Sequence, residues 1–207
     1  MSAGRGRPLP RSFSARDARV VAPELLGKLV VHDDPGVGRV AARLVEVEAY
    51  AGSDDPGSHA YRGPTARNAT MFGPAGHLYV YFTYGMHFCV NVVCGEPGWA
   101  SAVLLRGAAP VAGLDVIRAR RPAARRERDL CSGPARLAQA LGLSGAHDGT
   151  DLVRGPVRLL DDGVAPPVAP GVSARIGLAA GKGDGYPWRW YVRDDPNVSR
   201  GSFRAGK

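Results

Sequence analysis

The sequence has few cysteines, only three among 207 residues, and they are Cys89, Cys94 and Cys131. An odd number of thiols among apolar or small neighbours favours reduced cysteines, packed as small hydrophobic residues in a reducing compartment. Cys89 and Cys94 lack CxxC spacing, and neither a second cysteine pair nor a His-x-x-x-His motif follows them. We therefore predict no metal site, and no cofactor.

Long apolar runs are also lacking. Neither end of the sequence is apolar enough for a signal peptide, and no stretch approaches the ~18 apolar residues that a membrane-spanning helix needs. We therefore expect a soluble, intracellular protein with a cytoplasmic location and no contact with a membrane.

Lysine is scarce as well, since only Lys28, Lys182 and Lys207 among the 27 basic residues are lysines. The others are arginines, and the chain carries a net charge of +8 with a pI of about 9.9. Arginine binds phosphates through paired hydrogen bonds, so this balance favours a polyanionic partner such as nucleic acid. GC-rich coding also enriches arginine, alanine and glycine without functional meaning, and composition alone leaves both explanations open.

The overall composition predicts one folded domain. Hydrophobic residues make up 44% of the chain and charged residues 22%, close to globular averages. Residues 1–13 mix glycine, proline and arginine without apolar periodicity, which predicts a disordered basic tail before a single domain over residues 14–203. Residues 51–76 are rich in glycine, proline, serine and asparagine, and such a long loop is usually functional or disordered.

Alternating apolar segments bounded by turn residues predict a mostly antiparallel sheet. The predicted strands are residues 29–32, 38–50, 77–84, 86–93, 102–107, 157–160, 174–179 and 188–193. The predicted helices are residues 23–26 after a capping box at Ser14 and Asp17, residues 111–121, and a helix capped by Ser132 that has Pro134 in its first turn and ends at Gly142. The predicted fold class is α+β: a single domain with a curved, mostly antiparallel sheet, a protruding β-hairpin and flanking helices.

The segment Leu44 to Tyr50 carries the most informative pattern. A strand alternates its side chains between two faces, so Glu46, Glu48 and Tyr50 share one face, opposite the apolar residues between them. Residues two apart on a strand lie roughly 6.6 Å apart, close to the carboxylate spacing of inverting glycoside hydrolases. An exposed face whose glutamates keep the strand soluble explains the same pattern, and the segment alone leaves both interpretations open.

A second cluster places three of the seven tyrosines within six residues. Tyr79 and Tyr81 share one strand face, where aromatic packing is common. Tyr84 lies beside Gly85 at the tip of a predicted hairpin, where its ring has no partner in its own sheet. A ring in that position suits a wedge inserted into a base stack.

These segments together resemble a known family, the alkyladenine (3-methyladenine) DNA glycosylases. The most specific stretches are Val45 to Tyr50 (VEVEAY) and His77 to Asn91 (HLYVYFTYGMHFCVN), which are in register with each other. The likeness also includes His59, Thr65 to Asn68, Met71-Phe72, Val103 to Arg106, Leu130 to Pro134, Arg175 to Gly177 and Pro196 to Ser199. It covers residues 16 to 200 in order and implies an enzyme that excises damaged bases from DNA.

The resemblance implies a role for each matching residue. Glu48 would activate a water molecule that Arg106 and the backbone carbonyl of Ile176 help to hold, while Glu46 would have a structural or supporting role. The base pocket would consist of Tyr50, His59, Tyr81 and Asn91, with Asn91 placed to clash with the amino group of normal guanine. Tyr84 would fill the gap that the flipped nucleotide leaves. The partner would be double-stranded DNA with damaged purines, bound by a monomer that, in a bacterium, is associated with the nucleoid.

The scarcity of lysine predicts that the enzyme does not cut the strand. A glycosylase with lyase activity needs an amine nucleophile for a Schiff base, and no lysine accompanies the acidic or aromatic motifs. Two other functions stay open at this point. One is an inverting carbohydrate hydrolase, which would use the same carboxylates, and the other is a non-enzymatic nucleic-acid-binding module with a tyrosine stacking platform and an arginine track.

Overall fold

A computed structural model describes residues 4–200 of the chain. The helices of this part are α1 (Arg11–Ser14), α2 (Ala18–Leu25), α3 (Leu114–Arg120) and α4 (Pro134–Leu141). Its strands are β1 (Arg7–Pro8), β2 (Leu29–Asp34), β3 (Gly38–Ala51), β4 (Leu78–Thr83), β5 (His87–Cys94), β6 (Ser101–Ala112), β7 (Val157–Asp161), β8 (Gly171–Ser173) and β9 (Arg189–Tyr191). No helix within residues 4–200 is long and apolar enough to cross a membrane.

These strands form one open sheet in the order β1-β7-β2-β3-β6-β5-β4. β9 adds to β3 and β8 adds to β9, and the pairings are antiparallel. The β4–β5 hairpin, which was predicted on either side of Gly85, forms one end of the sheet. The prediction of a single α+β domain with a mostly antiparallel sheet is confirmed.

The longest strand, β3, runs for 14 residues through the interior of the sheet. β6 pairs along one of its edges, while β2 pairs with the other edge as far as Arg43 and β9 continues that edge over Glu46 to Glu48. The pairing with β6 changes register between Leu44 and Val47, an irregularity that re-aims the side chains beside it. The acidic segment therefore has neighbouring strands on both sides.

The strand register separates the two faces of the sheet. Residues directly opposite each other on antiparallel strands share a face, and the row Tyr79, Asn91, Leu104 and Glu48 crosses four strands in this way. The alternate positions of the strands pack against α2 and α4 and form the main core with them. The strands contribute Val47, Val80, Val90, Val92, Val103 and Leu105 to this core, and the helices contribute Leu25, Leu137 and Leu141. Because the helices cover one face, the row that contains Glu48 lies on the opposite face, which we call the polar face.

α2 begins earlier than predicted. The sequence predicted residues 23–26 after a capping box formed by Ser14 and Asp17, but the helix spans Ala18–Leu25. The Asp17 carboxylate accepts the backbone N–H of Arg19 at 2.8 Å, so Asp17 alone caps the helix. α3 begins later than predicted, at Leu114, because residues 111 and 112 continue β6.

α4 has Pro134 in its first turn and ends at Gly142, whose φ of 72° is left-handed, as predicted. Ser132 does not cap this helix, because Gly133 occupies the N-cap position. The Ser132 hydroxyl instead donates to the backbone carbonyl of Val198 at 3.3 Å. Ser132 therefore ties the start of α4 to the loop after β9.

The predicted strand over residues 174–179 is wrong. The strand in this region is β8, Gly171–Ser173, and it pairs with β9. After β8, Arg175 turns inward to Asp55, and Gly177 adopts a left-handed φ of 84°, far from the extended values of regular strands. The segment therefore leaves the sheet and forms a loop over the polar face.

Part of the predicted basic tail packs on the domain. β1 pairs with β7, and the Arg11 guanidinium donates to the Ala75 carbonyl at 2.6 Å and to the Asp151 carboxylate at 2.7 Å. From Arg7 onwards the structure thus differs from the predicted disordered tail. This segment has no apolar periodicity of its own, but contacts with residues far away in the sequence hold it on the domain. Residues 1–3 of the predicted tail and 201–203 of the predicted domain lie outside the described residues.

Candidate active site

Glu48 lies on the polar face of β3 with its side chain fully buried. Its Oε1 accepts the backbone N–H of Ile176 at 2.7 Å, and its Oε2 accepts the Tyr50 hydroxyl at 3.0 Å and Nη1 of Arg106 at 3.2 Å. Burial raises the pKa of Glu48 above its ordinary value, although Arg106 and the Ile176 N–H act in the opposite direction. A carboxylate with a raised pKa is a stronger base than one in water.

Glu46 is also fully buried, so the interpretation of the acidic face as exposed is wrong. Its Oε1 accepts Nε of Arg106 at 3.0 Å and Nε of Arg189 at 2.7 Å, and its Oε2 accepts the backbone N–H of Ser199 at 2.7 Å. Burial alone would raise the pKa of Glu46, but the two arginines outweigh it and lower the pKa below its ordinary value. The two pKa values shift in opposite directions, so Glu46 is the anion that orients Arg106 and Glu48 is the more basic carboxylate.

Ile176 contacts Glu48 through its backbone N–H. The resemblance implied that the Ile176 carbonyl helps to hold a water molecule. The observed contact shows that the Ile176 N–H also belongs to the site, since it binds Glu48. The loop that carries Ile176 folds over β3 because Arg175 is anchored below it, donating to the Ala49 carbonyl at 3.0 Å.

A cavity of about 230 Å³ opens beside these groups. It is smaller than the ~300–1,000 Å³ of pockets for drug-sized ligands, and it suits one small ring system. The predicted site residues that line it are Tyr50, His59, Tyr81, Tyr84, Asn91, Arg106 and Ile176. Glu48 lies directly behind this lining, since Tyr50, Arg106 and Ile176 bind its carboxylate. The structure therefore brings together all eight residues predicted for the site.

Aromatic rings form one wall of the cavity. Tyr79 and Tyr81 stack with ring centroids 5.7 Å apart, and His59 meets Tyr81 edge to face at 4.5 Å. The Tyr79 hydroxyl lies 3.1 Å from Nδ1 of His59. Burial and then Arg67 lower the pKa of His59, while burial raises the pKa of Tyr79 to about 12 and that of Tyr81 further. The wall is consequently neutral near pH 7.

Tyr84 forms the tip of the β4–β5 hairpin, as predicted. Its φ is 51° and 84% of its surface is exposed, although it also borders the cavity. Met86, beside it, is 70% exposed. Large exposed apolar side chains next to a cavity mark a contact surface for a partner.

Residues 12–196 match a family model described as methylpurine-DNA glycosylase. This chain belongs to the methylpurine-DNA glycosylase family. It is therefore an enzyme that hydrolyses N-glycosyl bonds, a DNA glycosylase of base excision repair whose substrate is DNA. The predicted resemblance is confirmed, and it favours this activity over the carbohydrate hydrolase and the non-enzymatic module.

Three relatives of the glycosylase are provisionally named as 3-methyladenine DNA glycosylases. The relative from Burkholderia cenocepacia (strain HI2424) is 54% identical over 196 residues, which cover 94% of this chain and 92% of the relative. The relative from Streptomyces avermitilis is 51% identical, with coverage of 93% and 91%. The relative from Carboxydothermus hydrogenoformans is 46% identical, with coverage of 93% and 98%.

Behind Tyr50 the glycosylase contains an ion pair that the sequence did not reveal. Arg175 and Asp55 are both fully buried side chains and are joined at 2.5 Å and 2.7 Å. The partners lie 120 positions apart along the chain. The matching motif Arg175-Ile176-Gly177 drew attention to the arginine, but nothing local identified its partner.

A second cavity of about 650 Å³ borders the base cavity of the glycosylase at Arg106 and Pro134. Its charged lining consists of Arg106, Arg126, Arg128, Asp129, Arg136, Asp194, Asp195 and Arg200. Ion pairs join Arg118 to Glu127, Arg120 to Asp34 and Arg126 to Asp129. The arginines in and just after α3 are therefore partly structural, since Arg118, Arg120 and Arg126 hold this segment and its neighbours.

Proposed function

We propose that the protein turns a damaged purine nucleotide out of duplex DNA and hydrolyses its N-glycosidic bond with Glu48 as general base. The single observation that carries this proposal is the location of the Glu48 carboxylate directly behind an aromatic cavity of the size of one base. The product would be an abasic site and a free base. We further propose that the enzyme acts as a monomer in the cytoplasm, associated with the nucleoid in a bacterium.

The proposed reaction is a displacement by water. The water oxygen bonds to C1′ of the sugar while the bond from C1′ to the base nitrogen breaks, and the bonding electrons leave with the base. These electrons neutralise a cationic alkylated purine, whereas a neutral purine such as hypoxanthine leaves as an anion that takes a proton from solvent. The sugar gains positive charge during this step, which a nearby carboxylate stabilises. Glu48 takes the proton of the water. Its Oε1 has one hydrogen-bond donor among the described residues, Ile176, which leaves a lone pair for water.

The cavity lining supports a preference for damaged purines. Alkylated purines such as 3-methyladenine carry a positive charge while they are joined to the sugar, and a cation over an aromatic face gains on the order of 1–2 kcal/mol when it is desolvated. The lowered pKa of His59 keeps its ring neutral, so it does not repel such a base. Asn91 lies on the floor of the cavity, and we propose that its amide excludes the amino group of normal guanine.

Base flipping would use the exposed ring of Tyr84. A stacked base conceals its glycosidic bond, and turning it out costs a few kcal/mol of stacking and pairing. Tyr84 borders the cavity from the hairpin tip, so an inserted ring would occupy the gap next to the flipped nucleotide. Damaged bases pair poorly and flip more easily, which adds selectivity before any contact in the pocket.

Release of modified bases from duplex oligonucleotides tests the proposed function. We expect wild-type protein to release at least one of 3-methyladenine, 1,N6-ethenoadenine and hypoxanthine, measured as free base by chromatography. The same duplex without a lesion is the control and should lose no base. Failure to release any modified purine, with lesion-independent binding, would contradict the proposal.

We expect a monofunctional enzyme that leaves the strand intact. Lys28 is bound to Asp161 at 2.8 Å, and neither Lys28 nor Lys182 lines the base cavity. Lys207 lies outside the described residues. Incubation with damaged duplex and sodium borohydride should therefore trap no covalent protein–DNA adduct, whereas a glycosylase with lyase activity supplies the positive control. A trapped adduct would overturn this part of the proposal.

A further inference from the structure

The buried ion pair of Arg175 and Asp55 lies directly behind the wall of the base cavity. The Arg175 guanidinium is centred 4.5 Å from the Tyr50 ring, over its face, and Tyr50 lines the cavity. Asp55 binds this guanidinium through both carboxylate oxygens, and its oxygens also accept the backbone N–H groups of Ala51 and Gly57. A positive charge, neutralised by one carboxylate, thus lies within contact distance of the cavity wall.

The charge on this pair acts on whatever stacks against Tyr50. A base on the free face of the ring would lie roughly 8 Å from the guanidinium, which is the observed ring contact plus one stacking distance. Over that distance, through a dry ring, charges still interact appreciably. An unneutralised Arg175 would therefore repel a cationic base and would leave a neutral base almost unaffected.

We propose that the Arg175–Asp55 pair sets the preference of the cavity between cationic and neutral purines, with Asp55 cancelling the repulsion from Arg175. This inference rests on the function proposed above and names a determinant of its specificity. Arg175 also holds the loop of Ile176 through the carbonyls of Ala49 and Gly183. A purely structural pair would affect both classes of base equally, whereas the proposed electrostatic effect changes their ratio.

Asp55→Asn is the first test. Asparagine keeps an acceptor oxygen and the size of the side chain but removes the negative charge. We expect the ratio of single-turnover rates for 3-methyladenine, which is cationic in DNA, over hypoxanthine, which is neutral, to fall about tenfold relative to wild type when both are in duplex DNA. Asp162→Asn is the matched control, because it breaks the ion pair with Arg43 and lines neither cavity. Its ratio should equal that of wild type.

Arg175→Gln tests whether removing the positive charge of the pair changes the rate ratio in the opposite direction. This change leaves the Asp55 carboxylate, still held by two backbone N–H groups, as the uncancelled charge, so the ratio should rise. The double variant Asp55→Asn with Arg175→Gln should return the ratio to within about twofold of wild type. Thermal unfolding identifies variants that do not fold. If Asp55→Asn does not fold, the rate ratio of Arg175→Gln decides the test: a rise supports the proposed electrostatic effect, and an unchanged or lower ratio overturns it.

Equal losses for both bases in every folded variant would overturn the inference and leave the proposed function intact. Absence of release by wild type of 3-methyladenine, 1,N6-ethenoadenine and hypoxanthine alike, with lesion-independent binding, would instead contradict the proposed function itself. The wild-type rates thus separate the two failures.

Discussion

Glu48→Gln is expected to slow release of the damaged base by about 10³-fold or more and to leave binding of lesion-containing duplex unchanged. General base catalysis alone contributes about 10²–10⁴-fold, and the lost carboxylate also no longer stabilises the positive charge on the sugar. Glutamine keeps an oxygen that can accept the Ile176 N–H, so the cavity lining should persist. Gel-shift affinity and single-turnover release, measured on the same oligonucleotide, separate binding from chemistry.

The same substitution should not destabilise the fold. Burial raises the folded pKa of Glu48 above its unfolded value, so stability is lost as the pH rises through the folded pKa and Glu48 ionises. The neutral glutamine avoids this cost, and Glu48→Gln should unfold at or above the wild-type temperature at pH 7. A catalytic group that is kept ionised at a cost in stability is expected to give a more stable but less active protein when it is replaced by a neutral residue.

Glu46→Gln is the matched control on the same strand face. The lowered pKa of Glu46 means that its ionised form stabilises the fold above its unfolded pKa and that this stability is lost as the pH falls. Removing the charge leaves Arg189 without the carboxylate that it binds and leaves Arg106 with Glu48 alone, and breaking a buried ion pair in this way costs about 3–5 kcal/mol. We expect this variant to lose more stability than Glu48→Gln and less of its single-turnover rate.

Tyr84→Ala is expected to weaken damage-specific binding by about 10-fold to 100-fold. A ring stacked on a base contributes about 1–3 kcal/mol, and this contribution is absent in alanine. The side chain is 84% exposed, so the fold should survive with a change of stability of about 0.5 kcal/mol or less. Fluorescence of a 2-aminopurine opposite or beside the lesion reports on flipping, and it should lose its lesion-dependent increase.

Tyr61→Ala is the control for this loss, because Tyr61 is 46% exposed and does not line the base cavity. It removes the same ring from another surface position and should bind lesion DNA as wild type does. Wild-type affinity and a normal 2-aminopurine signal in Tyr84→Ala would remove the wedge role from that residue.

The parts of the site that follow one strand were predictable from the sequence. Period-two alternation placed Glu46, Glu48 and Tyr50 on one face, and the turn at Gly85 placed Tyr84 at a hairpin tip. Both predictions needed only local geometry. The burial of Glu46 and Glu48 did not follow from alternation, because it depends on β9, which reaches β3 from more than 140 positions later in the chain.

The features that were missed depend on distant partners or on backbone groups. Asp55 binds Arg175 across 120 positions, and neither residue lies in a pattern that reveals the other. The N–H of Ile176 has no side-chain signature, and the strand predicted over it was wrong because its β-like composition did not reveal the inward turn at Arg175. Tertiary contacts override local propensity at such positions.

Single-turnover release of 3-methyladenine from duplex DNA, measured against pH for wild type, Glu48→Gln and Glu46→Gln, tests the central claim most directly. If Glu48 is the base, the wild-type rate rises with pH along an acid limb that lies above the pKa of an ordinary glutamate, and Glu48→Gln lacks that limb at a rate about 10³-fold lower while still binding the lesion. A rate for Glu48→Gln within about tenfold of wild type, with the same acid limb, would contradict the assignment of Glu48.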